Sequence, residues 1–342
     1  MGRTSYVLAV DGGNTKTFAV VAALDGAILG VGRSGCSDIY NAVPTGEEPD
    51  APAAALASAL RAANLALAAA GAEVADLDAS VFNMAGADWP EDIAFWREAM
   101  SARGYGQRVI AQNDALGILY AATPGATGVS IVAGTGVATG ARAADGTTWH
   151  SSFWQDEVQG SAHPGQKALF AIYRAELGMA PPTSLTGRVL ELLGAHTVEA
   201  ALRLYHDRLH PAPVKVDRLA PILLDEASAG DATALRILRD YGEELGDMAL
   251  VAARKVSLAG TSFPLVLAGG LFHHPTAALE DIITARVRAV EPAVRPIRSA
   301  VEPVAGVVVE ALAAAGVPID QTLLDRVATA IPTALDQPSA AR

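Results

Sequence analysis

A strand–glycine turn–strand pattern occurs twice in this chain and constrains its fold more than any other feature. In the first copy, residues 6–26, an apolar strand ends at Asp11, two glycines and a short polar run follow, and a second apolar strand begins. The weaker second copy spans residues 129–146, with its turn at residues 134–136. A unit that recurs within one chain indicates two similar lobes. Because tight glycine turns expose backbone N–H groups, both turns are candidates for gripping one nucleotide.

The first turn predicts a phosphate site with a metal beside it. Gly13, Asn14, Thr15 and Lys16 form the turn that would meet the β- and γ-phosphates, and Asp11 would hold Mg²⁺ through water. An ordinary hairpin with a solvated lysine is the alternative, and the second copy favours the phosphate interpretation. The pattern is not a Walker A loop, because no Gly-Lys-Ser/Thr ends a spaced glycine pair.

Composition excludes several classes of function. The length of 342 residues allows one large or two medium domains, and the formal net charge of −12 argues against a nucleic-acid groove or an anionic membrane surface. Cys36 is the only cysteine, which excludes a disulfide framework and a cysteine-based zinc or iron–sulfur site within one chain. No charged-then-apolar leader and no apolar run of membrane-spanning length is evident, so a cytoplasmic protein is expected.

The order of predicted elements favours neither a simple doubly wound sheet nor a barrel. Strands are predicted at residues 6–10, 18–24, 28–31, 80–84, 108–112, 263–268 and 294–297, besides those of the second glycine unit. Helices are predicted at 53–70, 92–103, 115–122, 276–290 and 304–315, and throughout most of 165–257. Residues 35–50 and 147–165 are expected to form loops, the second near an active site, and the tail after residue 331 is expected to fray.

Five short motifs in a fixed order resemble those of a known family. They are residues 11–17, 83–88, 113–115, 133–136 and 267–270, and Ala305-Gly306 opens a similar closing helix. Over nearly the whole chain, this series resembles the BadF/BadG/BcrA/BcrD-type ATPases of the actin-like/sugar-kinase superfamily, a group that includes N-acetylglucosamine kinases. The resemblance implies an α/β protein with two ribonuclease H-like (actin-like ATPase) domains. Each would contain a mixed five-stranded sheet flanked by helices, with ATP and Mg²⁺ in the cleft between them.

The resemblance also suggests where the two domains divide. Residues 1–114 and 304–342 would form the first lobe, and residues 115–303 the second, with a helical insertion. The expected partner is a small-molecule sugar, a homodimer is left open, and neither nucleic acid nor membrane is expected.

The resemblance further assigns roles along the chain. Asp114 would be the general base that takes the proton of the acceptor hydroxyl; from sequence alone, a helix N-cap is an equal alternative. The second turn, at Gly134, Thr135 and Gly136, would complete the phosphate site. Gly269 and Gly270 would approach the adenosine, although alone they are typical of a strand-to-helix turn.

The acceptor side departs from the family pattern. Asn41 matches an asparagine that contacts the sugar, with a turn-former as the alternative. Asp88 is interpreted as a surface helix cap in preference to a sugar contact. N-acetylglucosamine kinases carry Gly-Asp-Glu-Gly-Ser, whereas here Val-Gln precedes the Gly-Ser and the Asp-Glu pair lies earlier in the chain. Asp156 is therefore a candidate sugar ligand in a shifted loop, and Trp154 a candidate stacking residue.

These observations favour an ATP-dependent sugar kinase. Its acceptor would be a hydroxyl of an amino sugar such as N-acetylglucosamine or glucosamine, or of a related hexose. The alternative is a nucleotide-binding regulatory ATPase without a small-molecule acceptor. Activators of 2-hydroxyacyl-CoA dehydratases, from the same family, need two cysteines per chain for an iron–sulfur cluster, which Cys36 alone does not supply.

Overall fold

Two mixed five-stranded sheets form the framework of the protein. They are seen in a computed structural model that describes residues 5–122, 125–155 and 160–336. The strands of the first sheet are β1 Tyr6–Gly12, β2 Thr17–Ala23, β3 Ile28–Ser34, β4 Leu77–Met84 and β5 Arg108–Asn113. Those of the second sheet are β6 Gly128–Ala133, β7 Val137–Arg142, β8 Thr148–His150, β9 Pro264–Ala268 and β10 Arg295–Arg298.

The two sheets share one topology. Their strand orders are β3-β2-β1-β4-β5 and β10-β9-β6-β7-β8. In each sheet three consecutive strands pair antiparallel, and two later strands add in parallel beside the first of them. The repeat confirms the predicted α/β fold with two ribonuclease H-like units.

Helices cover the sheets. Those on the first sheet are α1 Ala51–Ala70, α2 Pro90–Ser101, α10 Val304–Ala314 and α11 Gln321–Asp336. The short helix α3 Ile118–Ala122 packs against α10 and near β6 and β9. The helices that precede, follow or join the strands of the second sheet are α4 Ala162–Glu176, α5 Leu185–Leu193, α6 Val198–Tyr205, α7 Ala220–Ser228, α8 Ala232–Lys255 and α9 Ala278–Arg288.

β1 is buried on both faces, which explains its continuous apolar sequence. Leu8 and Val10 pack into the core that contains α1 and α2, whereas Val7 and Ala9 pack into the core formed with α10 and α11. Successive side chains of a strand point to opposite faces, so an unbroken apolar run supplies both cores. The packing on both faces therefore fixes the position of Asp11, which lies near the end of β1 and is the first residue of the candidate site.

α1 packs unusually close to the first sheet. A Cβ on Gly30 or Gly32 of β3 would stand only 2.2 or 1.9 Å from the carbonyl oxygens of Ala66 and Ala62 on α1. Within the described ranges α1 is also the one helix long and apolar enough to span a membrane, contrary to the sequence expectation. Its alanines instead pack onto β2 and β3, which is the behaviour of a core helix.

Other predicted elements also need correction. The helix predicted over 115–122 begins only at Ile118, because residues 114–117 form a turn after β5. The helix near 304–315 is not the last element, since α11 follows and buries Leu324 and Ile331 in the core of the first sheet. The predicted fraying after residue 331 is therefore wrong as far as Asp336.

Candidate active site

A cleft of about 640 Å³ collects most of the predicted site residues. Those that line it are Asp11, Gly13, Asn14, Thr15, Lys16, Asn41, Asp114, Gly134, Thr135, Gly136, Gly269 and Gly270. They come from the ends of β1, β5, β6 and β9, and from the loop after β3. The two halves of the repeat thus contribute to one site.

The two glycine turns meet across this cleft. The Thr15 hydroxyl donates a hydrogen bond to the Thr135 hydroxyl at 3.2 Å. No heavy atom lies within 4 Å of the position that a Cβ would take on Gly134 or Gly270. Packing therefore does not explain these glycines. Open backbone on the cleft side fits a phosphate-bearing ligand.

Gly160 lies in close contact with the backbone of the second turn. A Cβ on this residue would stand 2.3 to 2.5 Å from the carbonyl oxygens of Gly134, Thr135 and Gly136. The backbone N–H of Ser161 also donates to the Gly134 carbonyl at 2.8 Å. Because residue 160 has no side chain, its backbone can pack directly against the second turn.

Asp11 lies at the floor of the cleft, at the end of β1. Burial raises the pKa of its carboxyl to about 6; a hydrogen bond from Asn83 and the charge of Lys16 lower it, and the charge of Glu302 raises it. Carboxylate oxygens are the ligands that Mg²⁺ prefers, and a cation here would offset the cost of the buried charge. The residues present therefore fit a hydrated Mg²⁺ ion.

Asp114 lies in the turn after β5. α3 begins only at Ile118, so Asp114 does not take the N-cap position that the sequence left open. Burial, followed by the charges of Asp11, Asp88 and Asp38, raises the pKa of Asp114 to about 8. A carboxyl group with this pKa is largely protonated at neutral pH. Its pKa lies close to neutral pH, as is favourable for a group that accepts a proton during catalysis.

A buried chain of amides holds the two aspartates. The Asn83 Nδ2 atom donates to Asp11 Oδ1 at 3.3 Å and to the backbone oxygen of Asp114 at 3.0 Å. Behind it, Gln112 Nε2 donates to Asn83 Oδ1 at 3.3 Å and to Glu310 Oε2 at 2.5 Å. Because Asn83 and Glu310 are buried, these bonds fix the positions of Asp11 and Asp114 relative to each other.

Asp38 is a cleft residue that the sequence did not single out. Only 4% exposed, it accepts hydrogen bonds from the Tyr40 N–H at 2.8 Å and from Asn41 Nδ2 at 3.0 Å. Asn41 Nδ2 also lies 3.0 Å from Asn14 Oδ1 in the first turn. An aspartate followed three residues later by asparagine is a turn signal, but its place in the cleft depends on the tertiary fold.

Asp88 lines the cleft and is not the surface helix cap that the sequence suggested. The N-cap residue of α2 is Trp89, whose N–H donates to the carboxylate of Asp92 in the first turn of the helix at 2.8 Å. Asp88 Oδ1 instead accepts a hydrogen bond from Asn113 Nδ2 at 2.9 Å. Burial raises the pKa of Asp88, and Asp38 and Asp92 add to the rise.

Three aromatic side chains form a cluster, and one of them, Phe153, lies beside these polar groups. Phe153 lines the cleft, with its ring centroid 5.3 Å from that of Tyr40 and 6.1 Å from that of Trp89. Trp154, the predicted stacking residue, is 75% exposed and is not among the cleft residues. Asp156, the other predicted sugar ligand, lies outside the described residues.

The paired sheets and the shared cleft define the class of protein: an actin-like ATPase fold with its site between two glycine turns. The family model of the BadF/BadG/BcrA/BcrD ATPase family matches residues 8–311, and the chain belongs to that family.

Relatives and solved structures agree with this placement. The chain is 25% identical over 272 residues to an N-acetylmuramic acid/N-acetylglucosamine kinase of Clostridium acetobutylicum, covering 79% of this chain and 86% of the relative. It is also 25% identical over 288 residues to an N-acetyl-D-glucosamine kinase of Dictyostelium discoideum, covering 82% and 89%. A crystal structure from Chromobacterium violaceum, provisionally named an N-acetylglucosamine kinase, superimposes with a TM-score of 0.62 at 23% identity, covering 90% and 99%.

Proposed function

We propose that this protein is an ATP-dependent kinase that phosphorylates a hydroxyl group of an amino sugar. N-acetylglucosamine and glucosamine are the first candidates, followed by related hexoses. The names of the two relatives support an amino-sugar acceptor. The observation that carries the proposal is that Asp114, both glycine turns and the polar residues Asp38, Asn41 and Asp88 line one cleft.

The neighbours of Asp114 support this role. Its carboxyl shares the cleft with Asp11, Asp38 and Asp88, whose charges add to the rise of its pKa. A general base needs to lie within hydrogen-bond reach of the acceptor hydroxyl, at the point where that hydroxyl faces the γ-phosphate. We therefore assign Asp114 as the base that takes the hydroxyl proton while the hydroxyl oxygen attacks the γ-phosphorus.

The phosphate end contributes positioning and charge. The turns at residues 13–16 and 134–136 would hold the β- and γ-phosphates, with Lys16 as the nearby cation, and Gly269 and Gly270 would lie against the adenosine. Asp11 would hold Mg²⁺ through water, and a bound Mg²⁺ neutralises charge on the transferred phosphoryl group. Phosphoryl transfer depends on such positioning more than on covalent chemistry.

The acceptor end contains groups that can orient a sugar. Asp38, Asn41, Asp88 and Asn113 present carboxylate and amide groups to the cleft, which can pair with sugar hydroxyls. Phe153 offers an apolar face beside them, suited to the C–H face of a pyranose. We assign the stacking role to Phe153 in place of Trp154.

We also propose that the chain divides as its repeat suggests. Residues 1–114 with 304–342 would form one lobe and residues 115–303 the other. Sugar binding would bring the lobes together, exclude water and align the hydroxyl with the γ-phosphate.

The test is ADP release by the purified protein with ATP and Mg²⁺, against a panel of hexoses, amino sugars and N-acylated amino sugars. We expect saturable release that depends on one class of sugar and is lost in Asp114→Asn. Direct detection of the sugar phosphate separates transfer to sugar from ATP hydrolysis. ATP binding without sugar-dependent turnover would contradict the kinase proposal and favour the regulatory ATPase.

A further inference from the structure

Glu302 is a carboxylate of the phosphate end to which no role has been given so far. It precedes α10 and lines the cleft. Its Oε2 atom lies 3.4 Å from the Nζ atom of Lys16, and the two side chains are 33% and 44% exposed. The lysine of the phosphate turn is thus paired with a carboxylate 286 residues away.

The charge of the cleft lining gives this pair its importance. Among the described residues of the lining, five carry carboxylates: Asp11, Asp38, Asp88, Asp114 and Glu302. Lys16 is the one lysine or arginine among the same described residues. A triphosphate is itself strongly anionic, so the acidic lining of the cleft disfavours it unless further positive charge is bound.

Glu302 acts at the same place as Asp11. Its charge contributes to the raised pKa of the Asp11 carboxyl, as expected for two carboxylates near one position. Both line the cleft beside the first glycine turn. Two such carboxylates, with Lys16 next to them, form a donor set suited to a hydrated divalent cation and a phosphate chain.

We propose that Glu302 makes nucleotide binding conditional on a divalent cation: it pairs with Lys16 in the empty cleft and, with Asp11, faces the hydrated cation when nucleotide is bound. This inference rests on the nucleotide site of the proposed function and assigns it a further residue. Metal-free ATP has to displace Glu302 from Lys16 and then remain beside its charge. When a cation accompanies the nucleotide, Glu302 has a new partner and Lys16 is released to the phosphates.

The exchange is feasible because both side chains are partly exposed. An ion pair of this kind is screened by water and contributes little to stability. Lys16 also lies over the Phe18 ring, with its Nζ atom 4.6 Å from the ring centroid. The ring helps to keep the lysine at the cleft when its pairing with Glu302 is broken.

The experiment is isothermal titration calorimetry with AMPPNP, a nonhydrolysable ATP analogue, in excess Mg²⁺ and in EDTA. In the wild type we expect binding to be much tighter with Mg²⁺. Glu302→Gln should bind about tenfold more tightly than the wild type in EDTA, because one negative charge near the phosphates is removed. The same variant should bind several-fold more weakly than the wild type in Mg²⁺, so that the ratio of the two dissociation constants shrinks.

Asp240→Asn is the matched control. It removes the carboxylate of another exposed ion pair, with Arg236 at 3.8 Å, on α8 and outside the cleft lining. It should keep the wild-type ratio, and thermal unfolding should show that both variants are folded. A wild-type ratio in Glu302→Gln would overturn the assignment.

The outcomes also separate this inference from the kinase proposal. Wild-type protein that binds AMPPNP in neither buffer would overturn both, because no nucleotide site would exist. Binding with an unchanged ratio in Glu302→Gln overturns only the role of Glu302. Because the assay needs no acceptor, failure to find a sugar substrate leaves its result intact.

Discussion

Replacing Asp114 with asparagine should make the empty protein more stable at alkaline pH while removing its catalysis. Burial and three neighbouring carboxylates raise the pKa of Asp114 from 3.8 to about 8. The folded protein therefore retains a proton that the unfolded chain releases above pH 4. The contribution of this group to stability is full below about pH 4, the unfolded-state pKa, and it is lost as pH rises from there to the folded-state pKa of about 8.

The size of the effect follows from the same values. A carboxyl pKa of about 8 instead of 3.8 sets an upper limit of about 6 kcal/mol on the cost of ionisation in the folded state. Part of Asp114 remains open to the cleft, so solvent screens the charge. We therefore expect a gain of about 2 to 3 kcal/mol in the free energy of unfolding of Asp114→Asn at pH 9. For a chain of this size, the gain corresponds to a rise of about 3 to 4 °C in Tm.

The assay is thermal unfolding of both proteins without ligand at pH 5, 7 and 9. The Tm difference should be small at pH 5, which is only about one pH unit above the unfolded-state pKa, and it should grow until the pH passes the folded-state pKa of about 8. In parallel, sugar phosphorylation should fall by a factor of about 10² to 10⁴, the usual contribution of a general base. A variant equally stable or less stable than the wild type at pH 9 would refute the reasoning about burial, and unchanged turnover would refute the base assignment.

Three further predictions concern the two ends of the cleft and the base between them. Phe153→Ala should raise the KM for sugar about tenfold through loss of an aromatic face, without changing ATP affinity. Trp154→Ala, at the exposed neighbour, should change neither the KM for sugar nor the ATP affinity. Steady-state kinetics with each substrate varied in turn will compare the two variants. Gly160→Ala should weaken AMPPNP binding about tenfold or more, because the added methyl meets three carbonyl oxygens of the second turn; an unchanged dissociation constant by calorimetry would contradict this. The kcat/KM for sugar should rise between about pH 6 and 9 as Asp114 ionises, and a flat profile would exclude Asp114 as a titrating base.

The parts of the structure that were predictable from sequence are those determined by local patterns. β1 and β2 are recognisable because burial on both faces demands a continuous apolar run, and the intervening turn needs small residues. The same local pattern, an apolar strand followed by a turn of small residues, predicts Asp11 and the residues of both glycine turns as site residues. Asp114 was found through its motif, but only the structure shows that α3 starts too late for a helix cap.

The residues that sequence analysis missed depend on long-range placement. Asp38 lies in an irregular loop, and only the packing of that loop brings its carboxylate into the cleft. Glu302 reaches Lys16 from near the other end of the chain. The choice between Phe153 and Trp154 depends on a single 3₁₀ turn, in which adjacent side chains point in directions about 120° apart. Composition does not reveal which of the two faces inward.

The bond between Thr15 and Thr135 means that the two glycine turns touch at the place where the phosphates are expected to bind. A nucleotide arriving from solution would have to part the two hydroxyls and would then occupy the gap between them. One exposed bond between neutral hydroxyls is weak, so parting them would cost the nucleotide little. A bound triphosphate would in turn act as a spacer between the two halves of the molecule.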